Sequence, residues 1–571
     1  MQQLTGLDAS FLYLETPNSP MHISGLYLYT QESAPGGQVR FKQILEFIAS
    51  RIQRLPSMAR RLKRVPFDLD HPYWIDDGDF DPEYHIRHVR LPEPGDWRQL
   101  CIMVSRIHAR PLDRARPLWE IHVIEGLDRV EGCPPGSFAL FTKMHHAAVD
   151  GASGMEITAA IHDLEPTVEE PVIGDWRSGE SEPGALKLLA RAQRNAIRQP
   201  LRFISVARNT VPGFARAIMQ LNSGRLERVA KVPRSRFNGP VSPYRVFTGV
   251  KFPLAEIKAI KNAVEGTTVN DVAITIVGGA LRRYLLDKGE LPPQSLVAMA
   301  PINVRNTTEK GTGGNIVSTM AVKVHSEVGN GEARLRAVHA GTKTAKELNN
   351  AIGAKSMTDY AQFIPSTLTA QAARLASRWN LANQINPFYN CVITNVPGPQ
   401  VPLYCSGARM LSNFGAGPGA DSLGLFQVIS SYCGEFTISV TCCREMMPDP
   451  GFYQECLQAS FDELKAATVG TGRRAKAKTG EASPDRKAAV KRAGTSKRRA
   501  TSAAKKKTAT KSKAAAARRA SDKAASAKAA HAKPRTAKRG VAKKSTKTPT
   551  GAKRRPAATP KARPKRATAT A

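Results

Sequence analysis

None of the eight cysteines in this 571-residue chain forms a Cys-x-x-Cys pair, and their positions (101, 133, 391, 405, 433, 442, 443 and 456) follow no regular spacing. That argues against a zinc ribbon and against a secreted disulfide framework, so a reducing cytosol is the simpler setting. The opening MQQLTGLDASFLYLE lacks the basic head and continuous apolar run of a signal peptide. No window holds the roughly 18 apolar residues of a spanning helix, so any membrane association is expected to be peripheral. A P-loop is missing, and so is a Gly-x-Ser-x-Gly elbow; the nearest stretch, Ala420-Asp421-Ser422-Leu423-Gly424, reads as loop. No period of about 20 to 50 residues recurs, which argues against a solenoid. Acidic residues are scarce in one place only: residues 471–571 hold 34 of the 84 Lys+Arg but 3 of the 48 Asp+Glu. About +31 of the net +36 therefore sits there, leaving the body near +5.

What is present divides into four stretches. Residues 1–175 read as mixed α/β: GLYLYT and IHVIEGL have strand composition, and FKQILEFIASRIQRL has helical apolar spacing. Trp119 to Leu127 and Ser137 to Met144 flank the turn EGCPPG and predict an antiparallel hairpin. Ser153-Gly-Met-Glu156 has the form of a capping box before MEITAAIHDL. Residues 176–238 differ. Leu186, Leu189, Ala190 and Ile197 fall on one helical face beside a basic stripe of Lys187, Arg191, Arg194 and Arg198, followed by Arg202, Arg208 and Arg216. Such a helix either lies apolar face down on an anionic bilayer or packs on the protein as a crossover with its charges solvated. Residues 239–468 form a second α/β stretch, with a helix expected from Asn270 to Lys288 and strands in LVAMAPINV, MAVKVHS, YNCVITNV, GLFQVISSY and FTISVTCC. The fold expected is two α/β domains joined by a helical crossover. Residues 469–571, Lys, Arg, Ala, Thr, Ser and Pro with almost no large apolar side chain, cannot build a core and are expected to be disordered.

One motif carries chemistry. In KMHHAAVDGASG, His145 and His146 sit where a strand ends and a helix is about to begin. A histidine with a pKa near neutrality takes a proton from a hydroxyl when its ring is held in one tautomer and aimed. That makes His146 the candidate base, with His145 supplying packing or orientation. Asp150 braces the turn or holds a cation that fixes it, and Gly151 permits a backbone geometry that a Cβ would obstruct. A metal site needs at least three ligands and finds no second His/Cys cluster, so no metal is expected. Asp150 as a plain helix cap beside two half-buried histidines remains an alternative. Coincidence is less so, because H-H-x-x-x-D-G arises by chance in about one chain per thousand of this composition. A base without an obvious nucleophile suits direct transfer between two bound substrates, a thioester and a hydroxyl.

With these residues in view, the chain resembles the bacterial wax ester synthase/acyl-CoA:diacylglycerol acyltransferases, relatives of the CoA-dependent acyltransferases and peptide-synthetase condensation domains. The resemblance spans about residues 4 to 465. It rests on LTGLDASFLYLETPNSPMHI, PLDRARPLWEIHVIEGL, HHAAVDG, VNDVAITIVGGALRRYL, PINVR followed by GGNIVS, NVPGPQVPLY, and SYCGEFTISV ending in MPDP. It implies two acyltransferase-like domains around a central channel, acyl-CoA as a substrate rather than a cofactor, and diacylglycerol or a long-chain alcohol as acceptor. His146 is then the base, and Asp150 is structural, paired with Arg305 of PINVR. Asn270 and Asp271 match the family's Asn-Asp motif and also sit where a helix should start, as cap or as support near the channel. Trp119 of PLWE is expected to be a core aromatic before an acyl-channel residue, and Pro397-Gly398-Pro399 a turn before a donor-side loop. Asn303 and Cys433 depart from the usual pattern, which puts channel detail in doubt. The location implied is cytoplasmic, on the inner membrane or lipid droplets. The 469–571 tail adds a partner of its own, nucleic acid or anionic lipid, bound through its charge. A non-catalytic lipid-droplet or nucleic-acid tether on the same fold, and a transferase with another acceptor, are the alternatives.

Overall fold

The computed structural model describes residues 1–148, 157–167, 182–197, 232–303, 317–352 and 386–480, with Met1–Pro484 forming one compact unit. Asp150, Gly151, Arg305, the basic positions Arg198, Arg202, Arg208 and Arg216, and the tail beyond residue 480 lie outside the described residues.

The first half runs β1 (Gln2–Gln3), α1 (Gly6–Leu14), β2 (His22–Thr30), α2 (Phe41–Ile52), β3 (Arg60–Lys63), β4 (Tyr73–Asp76), β5 (Ile86–Arg90), α3 (Trp97–Ala109), β6 (Trp119–Glu125) and β7 (Phe138–His145). A helix over 185–197, here α4, closes it. The second half runs β8 (Arg245–Pro253), α5 (Leu254–Ala263), α6 (Val269–Asp287), β9 (Val297–Asn303), β10 (Val317–Lys323), α7 (Gly331–Ile352), β11 (Cys391–Pro397), β12 (Tyr404–Cys405), β13 (Ala408–Ala416), β14 (Leu425–Tyr432), β15 (Glu435–Cys443) and α8 (Pro450–Gly480). The predicted hairpin is β6–β7, antiparallel with Trp119 opposite Met144.

Two six-stranded sheets carry the molecule, in the orders β12-β13-β2-β7-β6-β5 and β10-β9-β11-β14-β15-β8, beside a small sheet β1-β4-β3. The division at residue 239 therefore does not hold for every strand: β12 and β13, from the second half of the chain, complete the first sheet. β13 pairs antiparallel with β2, Phe414 opposite Leu26, through a bulge between Met410 and Ser412. Its other side faces the second sheet. Ser439 Oγ donates to Gly415 O at 2.7 Å and accepts from Gly415 N at 3.0 Å, while Thr437 Oγ1 donates to Asn413 O at 3.0 Å. Gly415 is required at that approach, since a Cβ there would stand 2.4 Å from Val428 Cγ1.

Hydrophobic burial follows the same plan. α2 covers one face of the first sheet through Ile44, Phe47, Ile48 and Ile52. α3 covers the other with Leu100, Val104 and Ile107, and its core also takes in Phe247 of β8 and Phe414 of β13, so it is wedged between the two sheets. In the second half α6 is apolar on nearly every side and sits under α5, α7 and α8 as the centre of the largest core. The crossover helix α4 combines parts of the two readings. It is held to the protein by Leu188 and Ala192, packed on Val65 and Tyr73, while Leu186 and Ile197 of the predicted apolar face point outward.

Candidate active site

β7 is the most protected strand of the first sheet, buried at every residue between β2 and β6. Its last residue, His145, extends the ladder by donating its backbone N–H to Leu118 O at 2.9 Å. Both ring nitrogens of His145 are occupied. Nδ1 accepts the backbone N–H of Ala147 at 3.0 Å, and Nε2 meets Glu15 Oε2 at 2.5 Å. Because Nδ1 is an acceptor, Nε2 bears the proton and donates to the carboxylate. His145 thus folds the chain into the turn after the strand, and Ala148 N closes that turn on His145 O at 2.9 Å.

Glu15 is the residue that sequence reasoning missed. It ends α1, is 7% exposed, and also receives Arg114 Nη2 at 3.0 Å. Burial opposes its charge, yet the His145 hydrogen bond and the Arg114 guanidinium outweigh burial and hold its carboxyl below the usual range. Arg114 also donates to Leu12 O at 3.2 Å, locking the helix end and the turn to one another. Glu15 lies in the opening stretch that carries the family resemblance, but nothing local says which basic group it meets.

His146 follows on the braced turn. Its backbone N–H donates to Met21 O at 2.8 Å, and its ring stacks on Phe11 with centroids 3.9 Å apart and planes 13° from parallel. It is half-buried, in contrast to His145. The ring is therefore positioned from two sides by residues of the first twenty-one.

Behind the pair lies a buried polar layer. Lys143 Nζ donates to Ile107 O and Arg110 O, both at 3.2 Å, capping the carboxyl end of α3, and pairs with Glu120 Oε2 at 3.0 Å. Burial alone would raise Glu120, but His122, Lys143 and Arg87 bring it to about 2. His22, opposite His145 in the β2–β7 register, and His108 are both kept neutral by burial, His108 down to about 3. His108 Nε2 donates to Gly417 O at 3.1 Å and Nδ1 accepts from Ser24 Oγ at 2.9 Å, joining the two halves of the chain. Arg245, also buried, reaches Asn18 O and, at 3.4 Å, Gly419 O. The loop after β13 is thereby fixed beside the segment that holds His146.

The other predicted residues fall elsewhere. Trp119 is a core aromatic: its Nε1 donates to Met58 O at 2.7 Å and its ring stacks on His85 at 4.5 Å. Asp271 is the third residue of α6 and closes a capping box with Thr268. Its two oxygens accept from Thr268 N at 2.9 Å, His339 Nδ1 at 3.1 Å and Thr342 Oγ1 at 2.7 Å, tying α6 to α7. Burial is outweighed by these bonds, and its carboxyl sits below the usual range. Asn270 Oδ1 accepts from Asn395 of β11 at 3.4 Å. Asp271→Ala is accordingly expected to cost about 3 kcal/mol of stability from the lost cap and charged hydrogen bonds, leaving KM for either substrate unchanged; a thermal melt and a substrate titration check both halves. Cys433, with Gly434, forms the exposed two-residue turn between β14 and β15, at φ 44° and 86°. The proposed partners Asp150 and Arg305 lie outside the described residues, as does Gly151. Among the described residues no group of three His, Cys, Asp or Glu could hold a metal ion.

Comparison with known proteins gives the family. Residues 4–273 match the model of the wax ester synthase/diacylglycerol acyltransferase catalytic domain, and residues 313–465 that of the WS/DGAT C-terminal domain. A Mycobacterium tuberculosis protein named as a diacylglycerol O-acyltransferase is 33% identical over 474 residues, covering 81% of this chain and 91% of the relative. Another from the same species is 31% identical over 470 residues, covering 81% and 99%. Among solved structures, the wax ester synthase/diacylglycerol acyltransferase of Marinobacter aquaeolei VT8 superposes with a TM-score of 0.57 at 26% identity, covering 82% of this chain and all of that one. The chain belongs to the wax ester synthase/diacylglycerol acyltransferase family and is an acyltransferase.

Proposed function

We propose that this protein transfers a fatty acyl group from acyl-CoA to the hydroxyl of diacylglycerol or of a long-chain alcohol, with His146 as general base. The observation that carries this reading is the division of labour between the two histidines. His145 spends both ring nitrogens on Glu15 and Ala147, so the proton acceptor of the pair is the half-buried His146. Acyl-CoA and the acceptor approach from opposite sides of a channel between the two sheets. His146 takes the hydroxyl proton as the oxygen attacks the thioester carbonyl. The tetrahedral oxyanion collapses, the C–S bond breaks, and the imidazolium returns the proton to the departing thiolate. No bound cofactor enters these steps.

Both acceptors are lipids, so the protein works at a lipid surface, held peripherally on the inner membrane or on lipid droplets. No helix among the described residues is long and apolar enough to span a bilayer. The 469–571 tail, rich in Lys and Arg, adds attraction to a polyanion, nucleic acid or anionic lipid, through counterion release. The test is incubation of the purified chain with labelled palmitoyl-CoA and either diolein or hexadecanol, read by thin-layer chromatography. Labelled triacylglycerol or wax ester, formed in step with free CoA, is expected. Release of CoA with neither ester, or no turnover with both acceptors, would overturn the reading.

A further inference from the structure

The outward side of α4 has no packing role. Taking Leu186 as the reference, 100° per residue places Ile197 about 20° away and Ala190 about 40° away, on the side opposite Leu188 and Ala192. Leu186 is 84% exposed and Ile197 71%, and the exposed cations Lys187 and Arg194 line one flank of this face. The helix is nonetheless fixed. Glu182, just before it, binds Arg61 at 2.8 Å and also Lys63, and Asn195 near its end donates to Asp70 Oδ2 at 2.7 Å and Gln3 Oε1 at 3.1 Å. A solvent-facing apolar stripe on a firmly docked helix gains nothing in water.

The turn beside it shows the same thing more sharply. Phe67 is 84% exposed and Leu69 62%, and Phe67 shares a surface depression with Lys63, Arg64, Ala185 and Leu188. Its backbone lies in the left-handed region, φ 61°, and that of Asp68 at φ 50°, so an aromatic ring is held outward at a cost in backbone strain. Four large apolar side chains are thus exposed on α4 and on the turn beside its first residues. Arg64, Lys187, Arg191 and Arg194 belong to the same two segments, against Asp68, which lies 3.9 Å from Arg64, Glu182, paired with Arg61 and Lys63, and Asp70, which accepts from Asn195.

From this juxtaposition we infer that the outward face of α4 and the 66–69 turn form a docking surface for an anionic phospholipid bilayer, the apolar side chains entering the acyl boundary and the cations meeting phosphate headgroups. Exposed apolar side chains interspersed with cations fit an interface with a charged skin and an apolar interior, whereas a nucleic acid would leave Phe67 and Leu186 unburied. This deepens the lipid-surface reading above and rests on it, but it does not depend on acyl transfer.

The experiment uses the full chain, without acyl-CoA, on vesicles of phosphatidylcholine with and without phosphatidylglycerol. The indole introduced by Phe67→Trp is expected to be quenched by brominated acyl chains beyond the wild-type background, and only on the anionic vesicles. Leu186→Ser combined with Ile197→Ser should abolish that quenching and weaken binding about tenfold or more. Lys187→Gln and Arg194→Gln should weaken it about fivefold each at low salt. All these positions are exposed, so melting temperatures should match wild type. Vesicle binding with no quenching at position 67, as when the tail alone tethers the chain, would overturn the proposal. So would DNA binding that the cation substitutions weaken while the apolar ones have no effect on vesicles. Run in the His146→Ala background, the result is expected to be the same, so loss of docking and loss of acyl transfer are distinguishable.

Discussion

Replacing His146 by alanine is expected to lower acyl transfer about a thousandfold with little change in the melting temperature. The size follows from the role: a positioned general base contributes on the order of 10² to 10⁴ in rate. The small stability change follows from the structure, because the imidazole is half-buried and the turn that carries it is held by other groups, the bonds from Ala147 and Ala148 to His145 and from His146 N to Met21 O. The substitution removes ring stacking on Phe11, worth about 1 kcal/mol. Glu15→Gln is the informative companion. The amide keeps one acceptor for His145 but loses the charge that pairs with Arg114, so the turn loosens while His146 stays. Turnover is expected to fall about tenfold at unchanged KM, together with about 2 kcal/mol of stability. Steady-state kinetics and thermal melts on the two variants separate the roles. Wild-type turnover in His146→Ala would end the base assignment. A Glu15→Gln protein that is less stable but fully active would reduce Glu15 to a packing residue.

The contrast between those two residues also shows what one sequence discloses. His146 was legible because its partners in the motif are neighbours in the chain, and strand-then-turn is written in the alternation of FALFTKMH followed by small residues. The β6–β7 hairpin, α2 and α6 were legible for the same reason: local spacing and a turn or a cap mark them. Glu15 and Arg114 were not, since 130 residues separate Glu15 from His145 and no periodicity encodes that meeting. β13 failed in the same way. It was not among the expected strands, and its partner β2 lies nearly four hundred residues earlier, because strand partners are set by tertiary packing. Lys143 was given no role from the sequence, although this lysine inside a fully buried strand serves as the cap of α3. For α4 the sequence left two readings open. The longer apolar stripe would be the packed face of an ordinary surface helix, and here the smaller face, Leu188 and Ala192, does the packing.

The buried histidines make a prediction of comparable size for stability. His22, His85, His108, His122 and His162 all lie below their ordinary value, in each case chiefly because burial disfavours the charged imidazole. His108 is lowered to about 3 and His162 to about 4. Below about pH 6.5 the unfolded chain takes up protons on these side chains that the folded chain refuses, so stability falls as pH falls. At pH 5 each of His108 and His162 is expected to cost about 2 kcal/mol relative to pH 7, and His22 acts in the same direction. Together about 4 kcal/mol is a large part of the stability of a typical domain. The carboxylates act with them at lower pH: Glu15, Glu120 and Asp271 are held below their ordinary values, and their contribution is lost as pH drops through the folded values. Denaturation monitored from pH 7 to pH 4.5 is expected to show the midpoint falling throughout. His108→Gln and His162→Gln, which cannot charge, should each flatten that slope by up to about 1.4 kcal/mol per pH unit. A midpoint constant between pH 7 and pH 5 would mean that these imidazoles titrate alike in the folded and unfolded chain, and the buried layer behind His146 would then have to be reached by water.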